Sequence, residues 1–133
     1  MVGILIVSHA PLANALIESA KMIMGEELPP CDYLHLVLGQ DMEAFDTMLD
    51  DKLSKLDDGD GVLVLADLFA GSPGNAVAYR LNRPNLELVT GANLGMVIEA
   101  LSADEETTLA ELKDIVIEAG RVSTVDVGEK MRG

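Results

Sequence analysis

Chemistry near neutral pH needs a side chain that changes charge there, and two histidines, His9 and His35, meet that need. His9 ends the run Val2-Gly3-Ile4-Leu5-Ile6-Val7-Ser8-His9 and is followed by Ala10-Pro11. An apolar run that stops at a polar pair, with a proline just beyond, reads as a strand passing into a helix, because proline is tolerated in a first helical turn. The imidazole then stands at the carboxyl end of a buried strand, where open α/β sheets assemble their sites. His35 lies inside Leu34-His35-Leu36, in mid-strand, and reads as structural.

Two further strand ends carry polar groups. Asp67 follows the apolar Val62 to Ala66 and opens Asp67-Leu68-Phe69-Ala70-Gly71-Ser72-Pro73-Gly74-Asn75; Gly91-Ala92-Asn93 follows Leu86 to Thr90. If the first and third strands are neighbours, Asp67 can accept the Nδ1 proton of His9, fix the tautomer and leave Nε2 as a nucleophile. Gly71 and Ser72, just before a helix, offer backbone N–H groups, a hydroxyl and the positive end of a helix dipole. Each piece has an ordinary structural use: a strand-end histidine, an aspartate capping the next helix, Ser72 as an N-cap with Pro73 at the first helical position. Their convergence on one sheet edge points instead to a site that holds a phosphoryl group.

The inventory excludes other chemistries. Residues 69–73 do not form the G-x-S-x-G elbow of serine hydrolases. Two histidines and one cysteine do not supply a zinc site, and neither G-x-x-x-x-G-K-[ST] nor G-x-G-x-x-G occurs. Asp57-Asp58-Gly59-Asp60-Gly61 lacks the spacing and terminal glutamate of an EF-hand loop and reads as an acidic turn. No metal or cofactor is expected. The net charge of −14 argues against nucleic acid and against an anionic membrane surface, and it suits a basic partner face. Cys31, the single cysteine, cannot form an internal disulfide, which fits a reducing compartment. With no signal peptide or membrane-length apolar run visible, a cytoplasmic protein is expected.

The elements that must position these residues alternate between strand and helix. Strands are expected over Val2 to Val7, Tyr33 to Leu38, Val62 to Ala66 and Leu86 to Thr90, the third placed centrally as the most apolar. Between them, Leu12, Leu16, Ala20 and Ile23 mark one helix, closed by Gly25, and Phe45, Met48, Leu49, Leu53 and Leu56 mark another, capped by Asp41. A third helix should run to about Leu81 and a fourth from Leu94 to Leu101. A fifth is expected from Asp104 to Ala119, capped by Gly120. Val122 to Val127 alternates apolar and polar residues, as an edge strand does. The fold class is therefore α/β, a single domain over 1–133 with a parallel sheet covered on both faces.

The segments Gly3 to His9, Leu12-Ala13, Ser19-Ala20, Asp67 to Asn75 and Thr90 to Leu94 together resemble the mannose-family enzyme IIA component of the bacterial phosphoenolpyruvate-dependent sugar phosphotransferase system. The resemblance implies a three-layer sandwich with four parallel strands and a C-terminal strand, Val122 to Val127, swapped in a homodimer. It implies that phosphorylated HPr, the small phosphocarrier, donates to Nε2 of His9, and that a sugar-specific IIB component takes the group for sugar uptake. Asp67 would bond Nδ1, while Ser72 and the amides of Gly71 and Leu68 would cradle the phosphate. IIB is expected on a separate chain, and membrane association only indirectly, through the permease complex. Alternatives within this chemistry are a phosphoryl donor to dihydroxyacetone kinase and a phosphorylation-state sensor; a receiver-like domain modified on Asp67 stands further off. Three positions depart from the family pattern. Ala10 and Ala70 stand where glycine is common, and Gly95 stands where the family often has proline.

Overall fold

Four apolar runs become four parallel strands: β1 (Gly3–His9), β2 (Cys31–Leu36), β3 (Val62–Ala66) and β4 (Leu86–Thr90). They lie in the order β2-β1-β3-β4 in a computed structural model that describes residues 1–133. The two central strands are those without polar interruptions, and every residue of β3 is buried. Alternate side chains serve two separate cores. Ile4, Ile6, Leu63 and Leu65 pack beneath α1 (Leu12–Met24), α4 (Leu94–Leu101) and α5 (Leu109–Val122). Leu5, Val7, Val62, Val64 and Ala66 pack beneath α2 (Met42–Leu56) and α3 (Ser72–Ala78). The result is the expected three-layer α/β sandwich.

The strand order creates the place for a site. From β1 the chain leaves through α1 on one face toward β2; from β3 it leaves through α3 on the other face toward β4. The carboxyl ends of β1 and β3 are neighbours whose continuations diverge, and such a switch point opens a crevice at the sheet edge.

Several elements differ from the sequence-based expectation. In α1 the buried stripe is Ala13, Ile17 and Ala20, one step round from the expected face, and Leu12 and Ile23 are exposed. The small alanines let α1 approach the sheet closely, a requirement that hydrophobicity alone does not report. β2 begins two residues earlier than expected and ends at Leu36, leaving Val37 and Leu38 exposed. α3 ends at Ala78, short of Leu81. α5 starts at Leu109, because Thr108 and Glu111 form a reciprocal capping box while Asp104 folds a turn before it. Gly120 lies inside α5 rather than after it; a Cβ there would stand 2.9 Å from Met96 Sδ, so the glycine serves helix packing.

The expected fifth strand is absent. Residues 123–126 connect α5 to a short helix, α6 (Val127–Arg132), whose N-cap Asp126 accepts from the Glu129 amide. A one-sided alternating pattern becomes a strand only when a neighbour offers a free ladder. Here the segment pairs with neither edge strand, β2 or β4, and the Asp126 cap starts a helix instead. No helix is long and apolar enough to cross a membrane.

Candidate active site

The switch point brings His9 and Asp67 together. The register sets Val7 opposite Ala66, so the residues that follow meet across the β1–β3 boundary. Asp67 Oδ2 accepts from both the backbone N–H of His9, at 2.9 Å, and ring Nδ1, at 2.9 Å. Its other oxygen accepts from the Leu68 amide at 2.9 Å. One carboxylate thus fixes the histidine's backbone, its ring and the start of the following loop. The Asp67 side chain is 9% exposed and that of His9 is 45% exposed. The orienting group is shielded while the ring remains reachable.

Burial pushes the Asp67 carboxyl pKa up, but the hydrogen bonds from the His9 amide and ring and from Leu68 outweigh it and hold the pKa below the usual carboxylate range. An ionised Asp67 demands the proton on Nδ1. Nε2 is then left with a free lone pair.

The loop after β3 closes over the other side of the ring. Ala70 takes a left-handed conformation, φ 62°, and its carbonyl accepts from the Asn75 side-chain amide at 3.3 Å. Gly71 caps α3 with its backbone alone, and a Cβ on it would lie 2.8 Å from His9 Cε1 and 3.5 Å from Nε2. Only glycine lets this loop lie so close to the imidazole. The amides of Gly71 and Ser72 donate to no carbonyl of the fold, and Ser72 is exposed at the first position of α3. The helix cap is therefore Gly71 rather than Ser72, one residue earlier than the Ser-Pro pair suggested. The Leu68 amide, expected to help cradle a phosphate, donates to Asp67 Oδ1 in this structure. No cluster of three or more acidic, histidine or cysteine side chains is placed to hold a metal ion.

A shielded carboxylate, an oriented imidazole and free amides at a helix start form an arrangement suited to moving a phosphoryl group. The family described as "PTS system fructose IIA component" matches residues 3–117. The chain belongs to this family. The mannose-specific EIIAB component of Escherichia coli K12 is 32% identical over 122 residues, covering 90% of this chain and 38% of that protein. The chain therefore spans well under half the length of that relative. The fructose-specific EIIA component of Bacillus subtilis is 29% identical, covering 84% of this chain and 77% of that one. Among solved structures, a PTS IIA protein associated with the fucose utilization operon of Streptococcus pneumoniae superposes with a TM-score of 0.85 at 30% identity, covering 97% of this chain and 95% of that one.

The same sheet edge also holds residues whose part the sequence did not reveal. Ser8, the one fully buried polar side chain, donates to the Ala10 carbonyl and accepts from the Ala13 amide, both at 2.8 Å. Ala10 is left-handed at φ 54° and donates to Leu36 O at 2.8 Å. Both left-handed alanines, 10 and 70, fall where the IIA resemblance noted an expected glycine. That departure was the available signal for the backbone geometry. Around the His9 edge, Leu12, Val37, Leu38, Leu68 and Phe69 are exposed, an apolar rim contributed by the start of α1 and the loops after β2 and β3.

Proposed function

We propose that this IIA component carries its phosphoryl group on Nε2 of His9, receiving it from phosphorylated HPr and passing it to a sugar-specific IIB component. The observation that carries the reading is the single ring held at Nδ1 by Asp67 with the Gly71 loop packed against its Cε1 and Nε2 side. The Nε2 lone pair attacks phosphorus, a P–N bond forms, and the bond to the donor imidazole breaks with its electron pair leaving on the donor. The His9 ring keeps its Nδ1 proton throughout, and the positive charge that develops is met by Asp67. Gly71 and Ser72 receive the phosphoryl oxygens. Release to IIB is the same step in reverse.

The apolar rim of Leu12, Val37, Leu38, Leu68 and Phe69 gives both partners a desolvated landing around the reacting atom. The charge of −14 favours a basic donor face. Residues 1–133 act as one domain, in the cytoplasm, and join the membrane only through the permease complex. The unpaired Val122 to Val127 segment is the one available to swap between two copies as a homodimer. Sugar choice belongs to the partner components, since the carrier handles only the phosphoryl group.

The test is incubation with phosphoenolpyruvate, enzyme I and HPr, followed by phosphorus NMR. An alkali-stable, acid-labile phosphohistidine signal is expected, lost in His9→Ala. Labelling that persists in His9→Ala, or an acyl phosphate in its place, overturns the assignment.

A further inference from the structure

The helix that follows His9 has Pro11 at its N-cap, a residue with neither an N–H nor a side-chain acceptor, so its first turn must be capped from elsewhere. Every donor there can be accounted for. Leu12 donates to Ala10 O at 2.9 Å and Ala15 to Pro11 O at 3.0 Å. Ala13 donates to Ser8 Oγ at 2.8 Å, and Asn14 donates to Nε2 of His35 at 3.1 Å. His35 belongs to β2, and its neighbour Leu36 accepts from the Ala10 amide at 2.8 Å. The dipeptide His35-Leu36 therefore fastens both the left-handed step after His9 and the helix turn beyond it.

We infer that His35 is a positioning residue for His9: as a neutral ring it caps α1 through Nε2, and the clamped first turn holds the Ala10 link that aims the reactive imidazole. The inference rests on the assignment of His9 as the phosphoryl acceptor. An acceptor nitrogen at this place must lack a proton, and the surroundings keep it so. Burial, then the positive charge of Lys52, push the His35 pKa below the ordinary histidine value. Tyr33 stacks on the ring at 4.8 Å, Lys52 of α2 pairs with Asp32 at 2.8 Å, and the groups meeting it from α1 and β1, Asn14 and its register partner Ser8, are uncharged. Ala10 needs such fastening, because a left-handed alanine is disfavoured on its own.

The experiment compares wild type, His35→Phe and His35→Gln. Glutamine places an amide oxygen about as far from the backbone as Nε2 and does not titrate. In His35→Phe the Asn14 amide should exchange faster, and the first-order transfer rate from phosphorylated HPr should fall about fivefold, the size of one lost cap, with donor saturation unchanged. His35→Gln should restore both. Wild-type transfer in His35→Phe, or loss in His35→Gln as deep as in His35→Phe despite a protected Asn14 amide, overturns the positioning role alone. A wild-type protein that takes no phosphoryl group overturns the His9 assignment, and this inference with it.

Discussion

Gly71 lies against the His9 imidazole so closely that a Cβ at that position would stand 2.8 Å from Cε1. The Gly71 backbone itself, at φ −80°, is one an alanine adopts without strain. The contact therefore isolates the packing of loop against ring from the conformational freedom of glycine. Gly71→Ala should fold with nearly unchanged stability and slow phosphoryl uptake about tenfold or more, because the ring or the loop must shift by enough to misplace the reacting atoms. Stopped transfer assays beside a thermal melt check this. A variant that transfers normally would show the loop to be free to move.

Asp67 makes two separable contributions. As the acceptor for Nδ1 it sets the tautomer, so Asp67→Ala should fold and transfer roughly 10²-fold more slowly. It also ties the His9 and Leu68 amides, which holds its pKa down against the opposing pull of burial. A carboxyl whose folded pKa lies below its unfolded one stabilises the fold above the ordinary aspartate value of about 4, and that stability is lost as pH falls through the folded pKa. Denaturant melts from pH 7 to 2 should therefore lose stability at the acid end in wild type, with a shallower loss in Asp67→Ala. An identical acid slope in the two proteins would mean that the ties contribute nothing to folding.

The sequence carried the sheet and the meeting of His9 with Asp67 because both are written in strong local signals. β3 and β4 are bounded apolar runs that match the structure residue for residue, and His9 and Asp67 each stand where such a run stops. What it did not carry depends on contacts between distant residues. The buried stripe of α1 follows its three closest-packing positions, Ala13, Ile17 and Ala20, rather than its largest side chains. The reach of His35 to the Asn14 amide is a cross-element bond that no spacing along the chain encodes. Gly120 is a stop signal by composition but a contact with Met96 in space. The alternation over Val122 to Val127 describes a strand's surface without supplying the strand it would pair with.

Ala10 and Ala70 provide a last measurement of how the site is held. Both are left-handed, at φ 54° and 62°, and they lie in the connections that follow β1 and β3 beside His9 and Asp67. A Cβ in that conformation costs about 1–2 kcal/mol, whereas glycine adopts it freely but adds about 0.4–1 kcal/mol of unfolded-chain entropy. The first term is the larger, so Ala10→Gly and Ala70→Gly should each raise the urea-unfolding free energy by about 0.5–1 kcal/mol. Ala10 and Ala70 lead to helices on opposite faces of the sheet and share no hydrogen-bond partner, so the double variant should gain close to the sum. Transfer should respond differently. Ala10 is fastened by Leu36 and Ser8, and its substitution should leave the rate within about twofold. Ala70 is held only through its carbonyl by Asn75, so added freedom there should loosen the Gly71 loop and slow transfer more than Ala10→Gly does. Equal transfer rates in the two variants would show that the methyl group of Ala70 does nothing to set the loop against His9.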